Sequence, residues 1–339
     1  MARLSLLVLL SLLVACGDDT TSGSGGNGGT SGAGGSAGLG GSAGIGGSAG
    51  SGGAGGSMQP DGSFSIKWGP TEVPANFEGT QCVVKRLGNS EPISVHEIHN
   101  VLGATSHHFI VYKVDDEVER PDPYSCTPFT DTFNDPPLII TQRADDRLTL
   151  PEGVAYTIEP NQMLRLELHY VNVNTTPQLA EATSTFVTMP SDEVENEADI
   201  MFLGDTAISI PAMSEATLGP SFLRVPDRFD GVSYFAITGH EHQWGTDVYV
   251  EVTESEGMAG TPVYDLPFFL WDEPETITYD PPFTIPTGGG FNLTCEWNNL
   301  SNRSVSFGTS VDDEMCFIWA YYYPSRGPLI CANGLFGCN

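Results

Sequence analysis

Hydrophobic and polar positions in this chain alternate over short stretches, and no long stretch keeps a helical period. Runs rich in β-branched and aromatic residues recur. Among them are His108-Phe109-Ile110-Val111-Tyr112, Leu164-Arg165-Leu166-Glu167-Leu168-His169-Tyr170, Val232-Ser233-Tyr234-Phe235-Ala236-Ile237 and Phe317-Ile318-Trp319-Ala320-Tyr321-Tyr322-Tyr323. Gly, Pro, Asn and Asp separate them, and proline suits strand ends and edges. The pattern predicts an all-β fold built of antiparallel sandwiches.

The N-terminal part departs from this pattern. Arg3 is followed by an apolar run from Leu4 to Ala15, too short to span a membrane as a helix, which predicts a signal-peptide core. It ends Leu13-Val14-Ala15-Cys16-Gly17, which resembles the bacterial lipobox, with Cys16 as the lipidated N-terminus. An ordinary secretory signal with a chance cysteine is the alternative. Residues 17 to about 57 are almost entirely Gly, Ser, Ala and Thr in GGSAG-like units. Such a stretch buries too little apolar surface to offset its ordering entropy, and it predicts a flexible tether. Its reach is about 35 Å for a chain of this composition.

The expected division is a leader over 1–15, a tether over 16–58 and two domains over 59–191 and 192–339. The polar stretch Pro190-Ser191-Asp192-Glu193-Val194-Glu195-Asn196-Glu197 marks the boundary, although it would serve equally as one exposed loop of a single domain. The expected location is the extracytoplasmic side of a bacterial envelope, at the outer membrane or cell surface. The expected contact with the membrane is through the lipid alone, and the expected state is a monomer.

Charge and cysteine content narrow the function. A formal charge of −30 argues against nucleic acid or anionic lipid as a partner, since both need basic patches. Six cysteines remain once Cys16 is set aside: Cys82, Cys126, Cys295, Cys316, Cys331 and Cys338. An even number in an exported chain predicts three disulfides, and the spacings match no zinc pattern such as CxxC.

Histidine supplies the candidate chemistry. His240-Glu241-His242 places two imidazoles on one face of a strand, because side chains alternate with period two. Alone, such a pair fits surface histidines as well as a metal site. His107 and His108 are adjacent, so a regular strand would point them to opposite faces. Both reach one ion only if the backbone is irregular or different ring nitrogens are used. His169 alternates with apolar neighbours and fits either a structural or a ligand role. Most methionines are core filler, but Met315 lies between acidic residues and Cys316, and pinned there it is a candidate to present its thioether to a metal. Thioether with imidazole favours copper, Cu(I) above all. His96 and His99, in an H-x-x-H spacing, are treated as ordinary strand or loop residues.

Taken together, these motifs resemble the copper type II, ascorbate-dependent monooxygenases, the family of the peptidylglycine and dopamine β enzymes. The resemblance rests on His107-His108, Leu166-Glu167-Leu168-His169-Tyr170, His240-Glu241-His242 followed by Gly245, and Asp313-Glu314-Met315-Cys316 through Tyr321-Tyr322-Tyr323. The motifs occur in the family's order and at about its spacing, and they cover the folded part. Glu167 and the segment from Cys316 to Cys331 are closer to the dopamine enzyme.

The resemblance implies two tandem jelly-roll-like antiparallel β-sandwich domains, each carrying one of two copper ions. It assigns His107, His108 and His169 to the first copper and His240, His242 and Met315 to the second. Met315, His240 and His242 would be the catalytic set, binding O2, with ascorbate or another one-electron reductant as co-substrate. It also implies the disulfides Cys82–Cys126 and Cys295–Cys316. The family partner of Cys331 has no counterpart, since no cysteine occurs between Cys126 and Cys295, and Cys338 is left to pair with it.

One departure is informative. Peptidylglycine enzymes clamp a peptide carboxylate with an Arg two residues before the H-x-H and with an Asn and a Tyr after the Met-Cys. Thr238, Phe317 and Trp319 stand at those positions, so the charge-assisted clamp is absent. These residues are the candidate substrate contacts, for a more apolar substrate. The expected function is hydroxylation of a C–H bond in a small or exported organic molecule. The alternative is a non-catalytic surface lipoprotein that binds copper or serves adhesion.

Overall fold

A computed structural model of the chain describes residues 55–129 and 135–334. The leader, Cys16, nearly all of the tether and Cys338 lie outside the described residues.

The fold is all β, as the alternation predicts. The first half is a pair of sheets. Its five-stranded sheet runs, edge to edge, Arg120–Ser125, Phe77–Arg86, Met163–Asn172, Ser106–Val114 and Pro137–Thr141. Its seven-stranded partner includes Phe64–Val73, Gln178–Met189 and Ile93–Leu102, and ends on the short strand Asn196–Glu197. The second half pairs a five-stranded sheet (Ile277–Phe283, Ser233–His240, Phe317–Tyr323, Asp199–Asp205, Leu329–Asn333) with a four-stranded one (Ser214–Arg224, Gly290–Asn299, Gly245–Thr253, Thr261–Tyr264). Neighbours are antiparallel except at the two short contacts 196–197 with 154–155 and 201–205 with 329–333.

Phe64–Val73 shows how the sequence selects a strand with one wet face. Phe64, Ile66 and Trp68 are buried, while Ser65 and Lys67 between them face outward. Phe317–Tyr323 is different, because its first six residues are all buried. Period two explains this. Phe317, Trp319 and Tyr321 join the apolar cluster of the first half, while Ile318, Ala320 and Tyr322 join the core of the second. Asp199–Asp205 divides likewise, with Ile200 and Phe202 on the first cluster and Met201 and Leu203 on the second. These strands are buried on both faces because the two halves dock through them. The Tyr321 hydroxyl accepts a hydrogen bond from the Ile140 amide of the first half at 3.2 Å.

The disulfides Cys82–Cys126 and Cys295–Cys316 are present, with Cα separations of 5.8 and 5.9 Å. The second joins the two sheets of its half, one residue past Met315. Cys331 is also disulfide-bonded, and its expected partner Cys338 lies outside the described residues.

The two halves share a corner that sequence reading missed. Val73-Pro74-Ala75-Asn76 leads into one sheet and Ile210-Pro211-Ala212-Met213 into the other, with φ of 51° at Asn76 and 54° at Met213. A buried asparagine closes each corner. Asn172 Nδ2 donates to the carbonyls of Val73, Pro74 and Thr176. Asn299 Nδ2 donates to those of Ile210, Pro211 and Arg303, and its Oδ1 accepts from the Ser301 amide. Replacing either asparagine strands several buried carbonyls, each loss costing about 1–3 kcal/mol. Asn299→Ala is expected to lower the unfolding free energy by about 3 kcal/mol, read by urea denaturation. A loss below about 1 kcal/mol would show that the corner holds without it.

Candidate copper centres

The first cluster forms where Ser106–Val114 and Met163–Asn172 meet. His108 lies opposite His169 in the antiparallel register, and the next pair is Ser106 with Tyr170. His107 is therefore the extra residue of a β-bulge. A bulge locally breaks the alternation of faces, which is the irregularity that two adjacent histidines need to share one site. The ring centres lie 5.7 Å apart for His107 and His108, 5.3 Å for His107 and His169, and 4.7 Å for His108 and His169. An imidazole nitrogen sits about 2.0–2.1 Å from a bound ion, so rings sharing one ion have centres about 5 Å apart.

The second cluster is built at the end of Ser233–His240. His240 is that strand's last residue, and His242 lies in the turn that follows, closed by the Gly245 amide donating to the His242 carbonyl at 2.9 Å. Their ring centres are 5.1 Å apart. Glu241, between them, is fully buried and packs against Gly245, where any Cβ would collide with its carboxylate. That collision explains the glycine in the motif.

Glu314 ties this turn to Met315. Its carboxylate accepts hydrogen bonds from the amides of His242 (2.9 Å), Trp244 (2.8 Å) and Met315 (3.2 Å), and from the Trp297 indole (2.9 Å). Burial pushes its pKa up to about 7, against the pull of those donors. Met315 is itself buried. One carboxylate thus holds the backbone of His242 and of Met315 together.

The ring nitrogens separate into two kinds. His169 Nε2 bonds Glu78 Oε1 at 2.9 Å, His240 Nδ1 bonds Gln142 Oε1 at 2.8 Å, and His242 Nδ1 lies 3.2 Å from the Asp313 carbonyl oxygen. By contrast His107 Nε2, His108 Nδ1, His169 Nδ1 and His240 Nε2 are buried with no hydrogen-bond partner among the described residues. Buried polar atoms are nearly always paired. His169 and His240 each pair one orphaned nitrogen with one that is fixed, which fits a metal ligand held by a second shell. Burial, first, and neighbouring imidazoles hold His107 down to about 3 and His108 and His240 well below the usual histidine value. Burial takes His242 to about 4. All four are neutral at physiological pH, the protonation state a ligand needs. The donor set of imidazoles with one thioether suits copper.

Sequence reading overlooked four residues that complete this picture. Glu78 and Gln142 lie far from any histidine in sequence, and nothing local marks them. Glu314 sits inside a motif that was noticed for its methionine. Trp271 of the second half packs edge-on to His107, with ring centres 5.4 Å apart. Glu167, beside the first cluster, is fully buried and accepts from the Tyr112 hydroxyl at 2.9 Å and the Phe129 amide at 3.2 Å, while burial raises its pKa to about 7. It also approaches Cys82 and Cys126, whose sulfurs are bonded to one another and so offer no thiolate.

Thr238, Phe317 and Trp319 are buried. Thr238 Oγ1 lies 2.7 Å from Thr276 Oγ1. Phe317 stacks on Phe202 at 5.0 Å, and Trp319 lies between Phe202 and His240 at 6.4 and 5.8 Å. His96 and His99 are on the seven-stranded sheet, where His99 pairs with Asp145 at 2.9 Å.

Several solved structures show remote likeness. The structure of the Sulfolobus Turreted Icosahedral Virus matches at 8% identity and a TM-score of 0.27, covering 76% of this chain and 87% of that one. A putative secreted protein from Eubacterium rectale matches at 12% identity and a TM-score of 0.21, covering 77% and 75%. PNGF-II matches at 8% identity and a TM-score of 0.23, covering 77% and 59%. A family model carries more information. Residues 196–334 match the C-terminal domain of the copper type II ascorbate-dependent monooxygenases, and this segment contains His240, His242 and Met315. The match supports the family suggested by the motifs over residues 196–334, as a C-terminal domain.

Proposed function

We propose that this protein is a copper-dependent monooxygenase acting on a C–H bond of a small or exported organic molecule. One atom of O2 enters the substrate as a hydroxyl and the other leaves as water. Two electrons come from an external reductant such as ascorbate, and two protons come from solvent. The observation that carries this reading is the set of buried ring nitrogens without partners, in two clusters, in a chain with a domain of this family.

His107, His108 and His169 would hold one copper, and His240, His242 and Met315 the other. Copper bound there would supply O2 activation and one-electron transfer. The chain's own residues do the rest. Asp313 and Gln142 fix which nitrogens of His242 and His240 face the ion. The Met315 thioether favours the reduced metal. Phe202, Phe317 and Trp319 keep water from the space beside His240. With Thr238, Phe317 and Trp319 in place of a charged clamp, the substrate is expected to be uncharged at the edge it presents. The lipobox-like Cys16 and the Gly/Ser-rich stretch support a protein tethered to a bacterial envelope.

Copper-loaded protein with ascorbate should consume O2 in the presence of a substrate drawn from a panel of apolar organic molecules. Met315→Ala and His242→Ala should each lower that rate at least 100-fold, since each removes a ligand from the reacting site. Equal rates in wild type and variants would sink the mechanism. Peptides ending in glycine should not be turned over, and saturable hydroxylation of one would overturn the assignment of the missing clamp.

Glu314→Gln should weaken copper uptake at the His240, His242 and Met315 site by about 10–100-fold, because an amide has one acceptor oxygen where the carboxylate has two. The three-histidine site should be unchanged. Copper titration with metal analysis reads both, and full occupancy at both sites would show that Glu314 is dispensable.

A further inference from the structure

Two side chains of the first half reach into the machinery of the second. Gln142, one residue beyond the strand Pro137–Thr141, is 5% exposed and places Oε1 2.8 Å from His240 Nδ1. With that oxygen accepting, Nδ1 carries the proton and Nε2 is left facing the site. Glu78, on Phe77–Arg86, works in both directions. Its Oε1 meets His169 Nε2 at 2.9 Å and accepts from the Val311 amide at 3.0 Å, while its Oε2 accepts from the Ser310 hydroxyl at 3.4 Å. Residues 310 and 311 belong to the loop that leads to Asp313, Glu314 and Met315. That loop returns a contact to the other cluster, since the Asp313 carbonyl holds His242. Trp271 closes the set by packing on His107 from the second half.

We propose that the His240, His242 and Met315 site takes part of its outer shell from the opposite sandwich, with Gln142 and Glu78 as positioning residues that couple it to domain docking. Gln142 sets the tautomer and orientation of His240. Glu78 orients His169 and anchors the loop that carries Met315. Neither touches a metal, and both act through a histidine. This inference rests on the copper reading above. It goes beyond that reading because it makes the second site incomplete unless the first sandwich is docked against it. The apolar contact between Phe129 and Phe202, 5.0 Å between ring centres, lies across the same interface and helps hold the docked arrangement.

The test uses the full chain loaded with copper and does not depend on turnover. Copper titration gives the affinity of each site. X-ray absorption of the reduced protein reports sulfur ligation, and hence the Met315 site. Gln142→Leu should weaken the sulfur-ligated site by about 10–100-fold, the usual cost of losing an outer-shell partner, and leave the three-histidine site at wild-type affinity. Gln142→Glu restores an acceptor of the same length. It should recover the affinity to within a few-fold and lower that site's reduction potential, because the added negative charge favours the oxidised ion. Glu78→Gln preserves size and folding. It should weaken the three-histidine site and raise its potential, because the imidazole loses its anionic partner.

Wild-type affinities and spectra in both Gln142→Leu and Glu78→Gln would overturn the inference. So would an equal loss at both sites in Gln142→Leu, which would mark a general structural role. The two readings fail differently. A wild-type chain that takes up no copper refutes the copper reading, whereas a wild type that takes up two with unchanged variants refutes only the cross-domain shell.

Discussion

Phe317–Tyr323 has no face left for water, and that constraint shapes the rest of the molecule. Alternate residues of one strand serve two different apolar clusters. The second sandwich therefore completes its burial only against the first. Docking brings several strands of the two halves together, and His108, His169, His240 and His242 are buried there. A polar group in such a place must find its partner nearby or remain orphaned at a cost of several kcal/mol. Second nitrogens of His169, His240 and His242 are satisfied by Glu78, Gln142 and the Asp313 carbonyl. Nitrogens of His107, His108, His169 and His240 stay buried without a partner among the described residues.

The same burial governs the electrostatics. Five imidazoles share it with few charged neighbours. The low histidine pKa values follow chiefly from burial and then from mutual repulsion of the protonated forms. Glu78 is the exception that tests the rule. Its hydrogen bond to His169 is the largest influence and takes its carboxyl down to about 2. It stays ionised at the one point where an anion can support an imidazole.

Much of this was legible in the sequence, and for identifiable reasons. Strand content followed from the recurring short runs of β-branched and aromatic residues between Gly, Pro, Asn and Asp. The pairing of Cys82 with Cys126 and of Cys295 with Cys316 was legible only through the family resemblance. That His107 and His108 could share one ion only through an irregular backbone or different ring nitrogens was legible from stereochemistry alone, because adjacent residues of a flat strand face apart. What the sequence withheld was long-range. Glu78 and Gln142 lie 91 and 98 positions from the histidines they hold, and no local pattern records such a contact. The buried setting of Phe317 and Trp319 was equally hidden, because an apolar residue beside a site gives no sign of whether it lines a cleft or seals an interface. The matched asparagine corners went unseen because two sequences as different as Val-Pro-Ala-Asn and Ile-Pro-Ala-Met share only a proline, an alanine and a backbone conformation.

The bulge at His107 also bears on how such a centre tolerates change. Opposite His169 and Tyr170, Ser106–Val114 runs one residue long. Deleting that one residue would restore a perfect ladder and leave one imidazole where two stood. The strand would gain regularity and lose the site. Length in this strand is therefore constrained as well as composition: a shift by one position would remove the extra residue that lets adjacent histidines meet. A centre of this kind can arise in a single step, by one inserted residue in a strand that already carries a histidine.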